Sequence, residues 1–108
     1  NDVILDYLQL ENVNLPTKVK LNQNYPNPFN PITKISYEMP SDGFVKVSII
    51  DMMGREVKTL VESSQVSGMR SVTWNATDNN DQPVSAGVYL YKIQIRGITK
   101  TRKMVFLK

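Results

Sequence analysis

Residues 24–31 read NYPNPFNP, with three prolines within six positions. Each proline fixes its own φ at about −65° and disfavours the helical region for the residue before it, so this segment cannot form a helix or a central strand. Asparagines precede two of the prolines, and their side chains can close Asx-turns on the local backbone. We therefore predict a stiff segment, called the proline segment below, that presents Tyr25 and Phe29 for burial at the entrance of a β domain.

The chain beyond the proline segment alternates apolar and polar residues with a period of two, which is typical of half-buried strands. The alternation is clearest over residues 35–39, 45–49, 70–76 and 89–95. Turn-forming residues separate these runs, and no helical periodicity appears. The pattern predicts an all-β fold, an antiparallel immunoglobulin-like β-sandwich of about seven strands, with Trp74 in its core.

The remaining strands are less regular. A return strand is predicted over residues 55–61, a loop over 62–68 and a terminal strand over 98–107. Asp51 and Gly54 suit a three-residue hairpin turn before the return strand, with Gly54 at positive φ. Residues 104–107 are apolar without alternation, which predicts that both faces of the terminal strand are covered there.

The composition disfavours catalysis. The 108 residues include no histidine and no cysteine, which excludes disulfides, thiol chemistry and cysteine-based zinc sites and removes the commonest general base. No paired-acid spacing is recognisable either, so we expect no catalytic residue, no enzyme activity and no cofactor. No apolar run of about 18 residues is present, and we expect no direct membrane insertion.

The charge is uneven along the chain. The net charge is +3, and the stretch from Arg96 to the C-terminus has five basic residues and no acidic one. This cationic end is either a solvated strand face or a surface that a protein partner recognises. A nucleic-acid site would require interleaved aromatic residues, and only Phe106 is available, so we expect no nucleic-acid partner.

The polar loop over residues 77–83 has two interpretations. Its clustered oxygen-bearing side chains could bind calcium, the ion that prefers such ligands. The loop lacks the glycine and the terminal glutamate of the helical calcium-binding loop, however. A solvated hairpin loop is the simpler interpretation, and the sequence leaves both open.

The N-terminal part is predicted to lie outside the domain. Residues 1–20 are interpreted as a linker or the end of an upstream domain, and residues 21–108 as the β-sandwich domain. Asn12, Asn14 and Pro16 interrupt the weak alternation before them, which favours a linker over a first edge strand. The chain opens with Asn1 and not with Met, and we expect it to be a piece of a longer protein.

Five sequence pieces together resemble a known family. They are NYPNPFNP (24–31), IDMMGREV (50–57), the Trp-containing run 68–75, SAGVYLYKI (85–93) and TRKMVFLK (101–108). Their order and spacing resemble the C-terminal sorting domain of the type IX secretion system, type A, over roughly residues 21–108. Met53 stands where that family usually has Leu or Phe, and Asp81 where a loop glycine is common.

The resemblance implies a C-terminal sorting signal. Such domains follow an upstream cargo domain, pass through the periplasm of Bacteroidota-type bacteria and are read by the outer-membrane type IX translocon. A sortase-like peptidase often removes them, here near or before Leu15 to Leu21, and the cargo reaches the cell surface or is secreted.

The resemblance also assigns residues. Those matching the part of the signal that the translocon needs are Lys103, Met104, Val105, Phe106, Leu107 and Lys108. Those matching the family motifs are Pro26, Asn27, Pro28, Phe29, Gly54, Arg55, Gly87, Val88 and Tyr89. The two glycines are equally expected as turn residues and Arg55 as a hairpin charge.

Two hypotheses follow for how such a domain is recognised. A short basic and apolar strand at a free C-terminus could be captured edge-on, with main-chain hydrogen bonds giving affinity and alternate side chains giving selectivity. The alternative is a structural or carbohydrate-binding immunoglobulin-like accessory module of a secreted enzyme, similar to the immunoglobulin-like domain of flagellar hook-capping proteins. That alternative expects binding through Tyr25, Phe29 or other exposed aromatic residues.

Overall fold

The computed structural model describes residues 18–108, so most of the predicted linker lies outside the described residues. Seven strands and no helix form in this part of the chain. They are β1 (Lys20–Leu21), β2 (Thr33–Met39), β3 (Gly43–Ile50), β4 (Glu56–Gln65), β5 (Gly68–Trp74), β6 (Gly87–Ile95) and β7 (Ile98–Phe106). The predicted all-β fold with about seven strands is confirmed.

The strands form two antiparallel sheets that pack face to face. One sheet has the order β1-β2-β5 and the other β4-β3-β6-β7, and all pairings between these strands are antiparallel. β1 lies beside β7 on one side of the sandwich, and β4 lies beside β5 on the other. The beginning and the end of the described chain therefore meet along the same side of the molecule.

The core forms between the inner faces of the two sheets, as the alternation predicts. Trp74 is fully buried, and its ring lies 5.7 Å from that of Phe29 and 5.4 Å, edge-on, from that of Tyr89. Its indole N–H donates a hydrogen bond to the carbonyl oxygen of Thr77 at 2.8 Å. The largest side chain of the core is thus closely packed, and its one hydrogen-bond donor has an acceptor.

The return strand is longer than predicted. β4 continues through residues 62–65, which pair with Gly43 to Lys46 of β3, where the sequence predicts a loop. The polar residues of this stretch predict a loop, but charged and polar side chains are also typical of edge strands, and β4 is an edge strand. The sandwich also includes residues before Leu21, since Val19 is buried and Lys20 belongs to β1.

Two burial predictions are wrong in part. Phe29 is 2% exposed, but Tyr25 is 81% exposed. The backbone N–H and carbonyl of Tyr25 both bond to Lys34 of β2, and this bridge leaves the ring in solvent. At the chain end, Val105 is half-buried and Leu107 is exposed, so only one face of the terminal strand is covered.

We expect the two aromatic residues of the proline segment to differ sharply in their contribution to stability. Phe29→Ala should lower the free energy of unfolding by about 3–4 kcal/mol, because it empties a site packed against Trp74 and Phe106. Tyr25→Ala should change it by less than about 0.5 kcal/mol. Denaturant unfolding of both variants measures the difference, and equal losses would contradict the packing described.

Candidate functional site

The proline segment lies along the outer edge of β7. The Val105 N–H donates to Asn27 Oδ1 at 3.0 Å. The Phe29 N–H donates to the Val105 carbonyl, and the Leu107 N–H donates to the Phe29 carbonyl, both at 3.0 Å. The two stretches run parallel at this bridge. The chain's own segment therefore covers the C-terminal end of the β7 edge.

The cover continues toward the N-terminus of β7. Gln23 Nε2 donates to the Lys103 carbonyl at 3.0 Å, and Arg102 Nε donates to the Leu21 carbonyl at 2.6 Å. The edge of β7 over residues 103–107 is consequently covered in the folded domain. A translocon could add a strand there only after displacing residues 21–29.

A buried polar network fixes the proline segment on its other side. The Asn24 N–H donates to Tyr91 Oη at 2.8 Å, and the Tyr91 hydroxyl donates to the Asn22 carbonyl at 2.7 Å. Asn24 Nδ2 also donates to Thr33 Oγ1 at 2.9 Å. Burial raises the pKa of Tyr91, so the hydroxyl stays neutral and keeps its proton for this bond. No buried side-chain polar atom in residues 18–108 lacks a partner.

The six C-terminal residues divide into two groups. Met104 and Phe106 point inward and are buried, and the Phe106 ring stacks on that of Phe29 at 5.2 Å. Lys103, Leu107 and Lys108 are exposed. The first group holds the fold together, whereas the second is available to a partner.

The Gly87-Val88-Tyr89 motif divides in the same way. Gly87 has φ of 147°, a value that side-chain-bearing residues rarely adopt. Tyr89 is buried and donates its hydroxyl to the Ser85 carbonyl at 2.6 Å. Val88 is exposed and pairs with Val105 on the outer face of the sheet. The motif thus contributes two fold-forming residues and one surface residue.

Together with the half-buried Val105, these exposed residues form one candidate recognition surface, which consists of Val88, Lys103, Val105, Leu107 and Lys108. Sequence reasoning identified each residue separately. It missed that the pairing of β6 with β7 joins the internal motif to the chain end, although the two-residue turn at Arg96 and Gly97 fixes the register of this hairpin.

The Gly54-Arg55 motif closes the β3–β4 hairpin, as predicted. Gly54 has φ of 86°, and its N–H donates to the Asp51 carbonyl at 3.0 Å. The Arg55 N–H and Nε donate to the two carboxylate oxygens of Asp51, each at 2.9 Å. These bonds, the backbone N–H first, lower the pKa of Asp51. The Arg55 side chain is therefore hydrogen bonded within the hairpin turn that it helps to close.

The carboxylates of the 77–83 loop bind donors from the protein itself. Asp78 Oδ1 accepts the N–H groups of Asn80 and Gln82 at 2.8 and 3.0 Å, and Asp81 Oδ1 accepts a bond from Lys58 Nζ at 3.0 Å. Across the described chain, no group of three or more His, Cys, Asp or Glu side chains is placed to hold a metal ion. Nor is there, over residues 18–108, a helix long and apolar enough to cross a membrane.

We expect the hydrogen bond from Val105 to Asn27 to control the opening of the β7 edge. Asn27→Ala removes the acceptor and should speed amide hydrogen exchange at Val105 and Leu107 by about tenfold or more, since fewer bonds then hold the cover closed. Asn30→Ala, an exposed position in the same segment, is the matched control. Similar exchange in both variants would show that Asn27 does not hold the cover.

Comparison with known proteins identifies the family and relates the fold to three solved structures. A family model described as secretion system C-terminal sorting domain matches residues 23–107, whereas no curated protein matches the sequence. The structure of dimeric latent PorU from Porphyromonas gingivalis is similar with a TM-score of 0.68 and 21% identity, over 85% of this chain and 9% of that one.

PorZ of the same bacterium, described as an essential surface component of the type-IX secretion system, is similar with a TM-score of 0.56 and 23% identity, over 80% of this chain and 11% of that one. The hook-capping protein FlgD from Xanthomonas campestris gives a TM-score of 0.57 and 24% identity, over 89% of this chain and 72% of FlgD. At these identities the likeness shows the fold alone.

The chain spans about a tenth of the PorU and PorZ chains that it matches, 9% and 11% respectively. The family match, in contrast, covers most of this chain, from Gln23 to Leu107. This chain therefore belongs to the family of secretion system C-terminal sorting domains.

Proposed function

We propose that this domain directs an attached upstream cargo protein through the outer-membrane type IX secretion system and has no catalytic activity of its own. The observation that carries the proposal is the sorting-domain match over residues 23–107. Membership in this family implies a sorting signal, and proteins sorted in this way are exported to the cell surface or secreted. Passage through the periplasm is part of the proposal.

The candidate recognition surface is the part of the domain that we assign to the translocon. Its residues are presented on a sheet whose core anchors, Met104 and Phe106, are fully or almost fully buried. The main-chain edge behind them is already hydrogen bonded to the proline segment. Recognition of the folded domain would therefore use side chains and the chain end, with no strand addition at residues 103–107.

We also propose removal of the domain by a sortase-like peptidase, at a bond that precedes Lys18. Val19 and Leu21 are buried, and the Leu21 carbonyl is bonded to Arg102. A peptidase needs an extended and accessible segment, so cleavage within residues 19–21 would require β1 to detach first. Of the predicted cleavage range, near or before Leu15 to Leu21, we therefore keep the part that precedes Lys18.

The alternative function, a structural or carbohydrate-binding accessory module, has less support. One of the two aromatic residues expected to bind a glycan, Phe29, is buried in the core. The likeness to FlgD, at 24% identity, concerns the fold. We therefore favour the sorting signal.

Export of a reporter fused ahead of the domain tests the sorting function. Deleting residues 103–108 would also remove two core side chains, so we choose a surface variant with Lys103→Glu, Leu107→Ser and Lys108→Glu. In a Bacteroidota host with the type IX system, this fusion should accumulate in the periplasm, with extracellular reporter reduced about tenfold or more, because the contacted side chains are altered while the core is intact.

The matched control carries Lys34→Glu and Val66→Ser at exposed positions elsewhere, Val66 being as exposed as Leu107, 59% against 53%. Its export should equal that of the unmodified fusion. Thermal unfolding of both purified domains confirms that they fold. Normal export of the surface variant would remove these residues from the signal.

The position of processing can be measured directly. Mass spectrometry of the domain released by cells should find an N-terminus at or before Lys18, because the folded chain shields the bonds that follow. A released fragment that begins after Leu21 would contradict the proposed site and would show that β1 opens during processing.

A further inference from the structure

The charges of the domain are segregated along the chain. All 13 basic residues but only seven of the ten acidic residues lie in the described part. Those seven acidic residues fall between Glu38 and Asp81, whereas residues 18–37 and 82–108 contain nine basic residues and no acidic one. The described ion pairs involve only residues between Lys46 and Asp81. Within residues 18–108, the nine cations therefore have no ion-pair partner.

The topology brings part of this unpaired charge into one groove. β1 and β7 lie side by side at the edges of the two sheets, and an open groove of about 570 Å³ runs between them. The groove, called the cationic groove below, is lined by Lys18, Val19, Lys20, Leu21, Lys100, Thr101 and Arg102. Four of these seven residues are basic and none is acidic, so the groove concentrates positive potential.

The cationic groove also contains an open strand edge. In β7 the N–H and carbonyl of Val105 point away from β6, toward the proline segment. The direction of the backbone N–H and carbonyl groups alternates from residue to residue along a strand, and the β6–β7 register is unbroken. The N–H and carbonyl groups of Thr99 and Thr101 therefore also point away from β6. No hydrogen bond from a described residue reaches these two positions. The edge is thus covered from Lys103 onward and open before it.

We propose that the cationic groove is a docking site for an extended acidic segment of a partner protein. The segment would add as a strand to β7 at Thr99 and Thr101, using its main chain, and direct alternate carboxylates toward Lys18, Lys100 and their neighbours. A second copy of this domain does not fit, since it brings the same unpaired positive charge. Nucleic acid is disfavoured because no aromatic residue lines the groove.

This inference goes beyond the sorting signal and is independent of it. The candidate recognition surface lies on the outer face and end of β7, whereas the cationic groove lies on its N-terminal edge. Binding is measured with the purified chain and export is measured in cells, so either proposal can fail alone.

The probe is a fluorescently labelled eight-residue peptide in which glutamate alternates with valine, titrated against the complete chain by fluorescence anisotropy. We expect a Kd in the micromolar range at about 50 mM salt and about tenfold weaker binding at about 300 mM, because salt screens exposed charges. A lysine–valine peptide should not bind. The same acidic peptide with alternate amides N-methylated should bind at least about tenfold more weakly, because it cannot pair with a strand edge.

Matched variants locate the site. Lys18→Glu with Lys100→Glu should weaken binding by about tenfold or more, whereas Lys34→Glu with Arg70→Glu, which changes the net charge equally outside the groove, should change it by less than about threefold. Thr101→Pro removes an outward N–H without disturbing the β6 pairing and should weaken binding by about tenfold. Thr101→Ala keeps that N–H and should bind like the parent chain.

Four outcomes would overturn the proposal: equal binding of both peptides, equal losses in the two double variants, undiminished binding by Thr101→Pro, or binding only after removal of residues 1–17. That N-terminal stretch contains three acidic and no basic residues, so the last outcome would assign the groove to this chain itself. If Thr101→Pro does not fold, as judged by circular dichroism, the N-methylated peptide decides the strand-addition step on the parent chain.

Discussion

The pairing of residues 21–29 with the outer edge of β7 is the contact on which the rest of this domain depends. One short segment joins the edges of both sheets, covers the C-terminal half of an otherwise open strand and inserts Phe29 between Trp74 and Phe106. An exposed edge of this kind would otherwise be a template for aggregation. The prolines suit this role because the segment makes only a few hydrogen bonds to β7. It needs no regular ladder of backbone hydrogen bonds, in which a proline could not donate.

Local sequence patterns predicted the elements whose causes are local. Alternation placed the buried faces of β2, β3, β5 and β6, and the Asp51 and Gly54 spacing predicted the hairpin turn. The errors lie where a distant partner decides. Residues 62–65 extend because β3 lies beside them, and Tyr25 is exposed because its backbone bridges to Lys34.

The two sides of the sandwich differ in how they use charge. Around β3, β4 and the 77–83 loop, carboxylates pair with lysines and arginines of the same domain. Along β1 and β7 the cations have no such partners among residues 18–108, and the recognition surface and the cationic groove both lie there. Among the described residues, the charge without ion-pair partners thus lies mainly on one side of the sandwich.

The parallel course of residues 21–29 and β7 has a mechanical consequence. Residues 21–29 begin at one end of this pair and β7 ends near the other, so tension applied between Leu21 and the end of β7 would load the bridging hydrogen bonds in shear. Bonds loaded in shear must break together, whereas bonds loaded in a peeling geometry break one after another. The domain is therefore built to resist stretching between its first strand and its last.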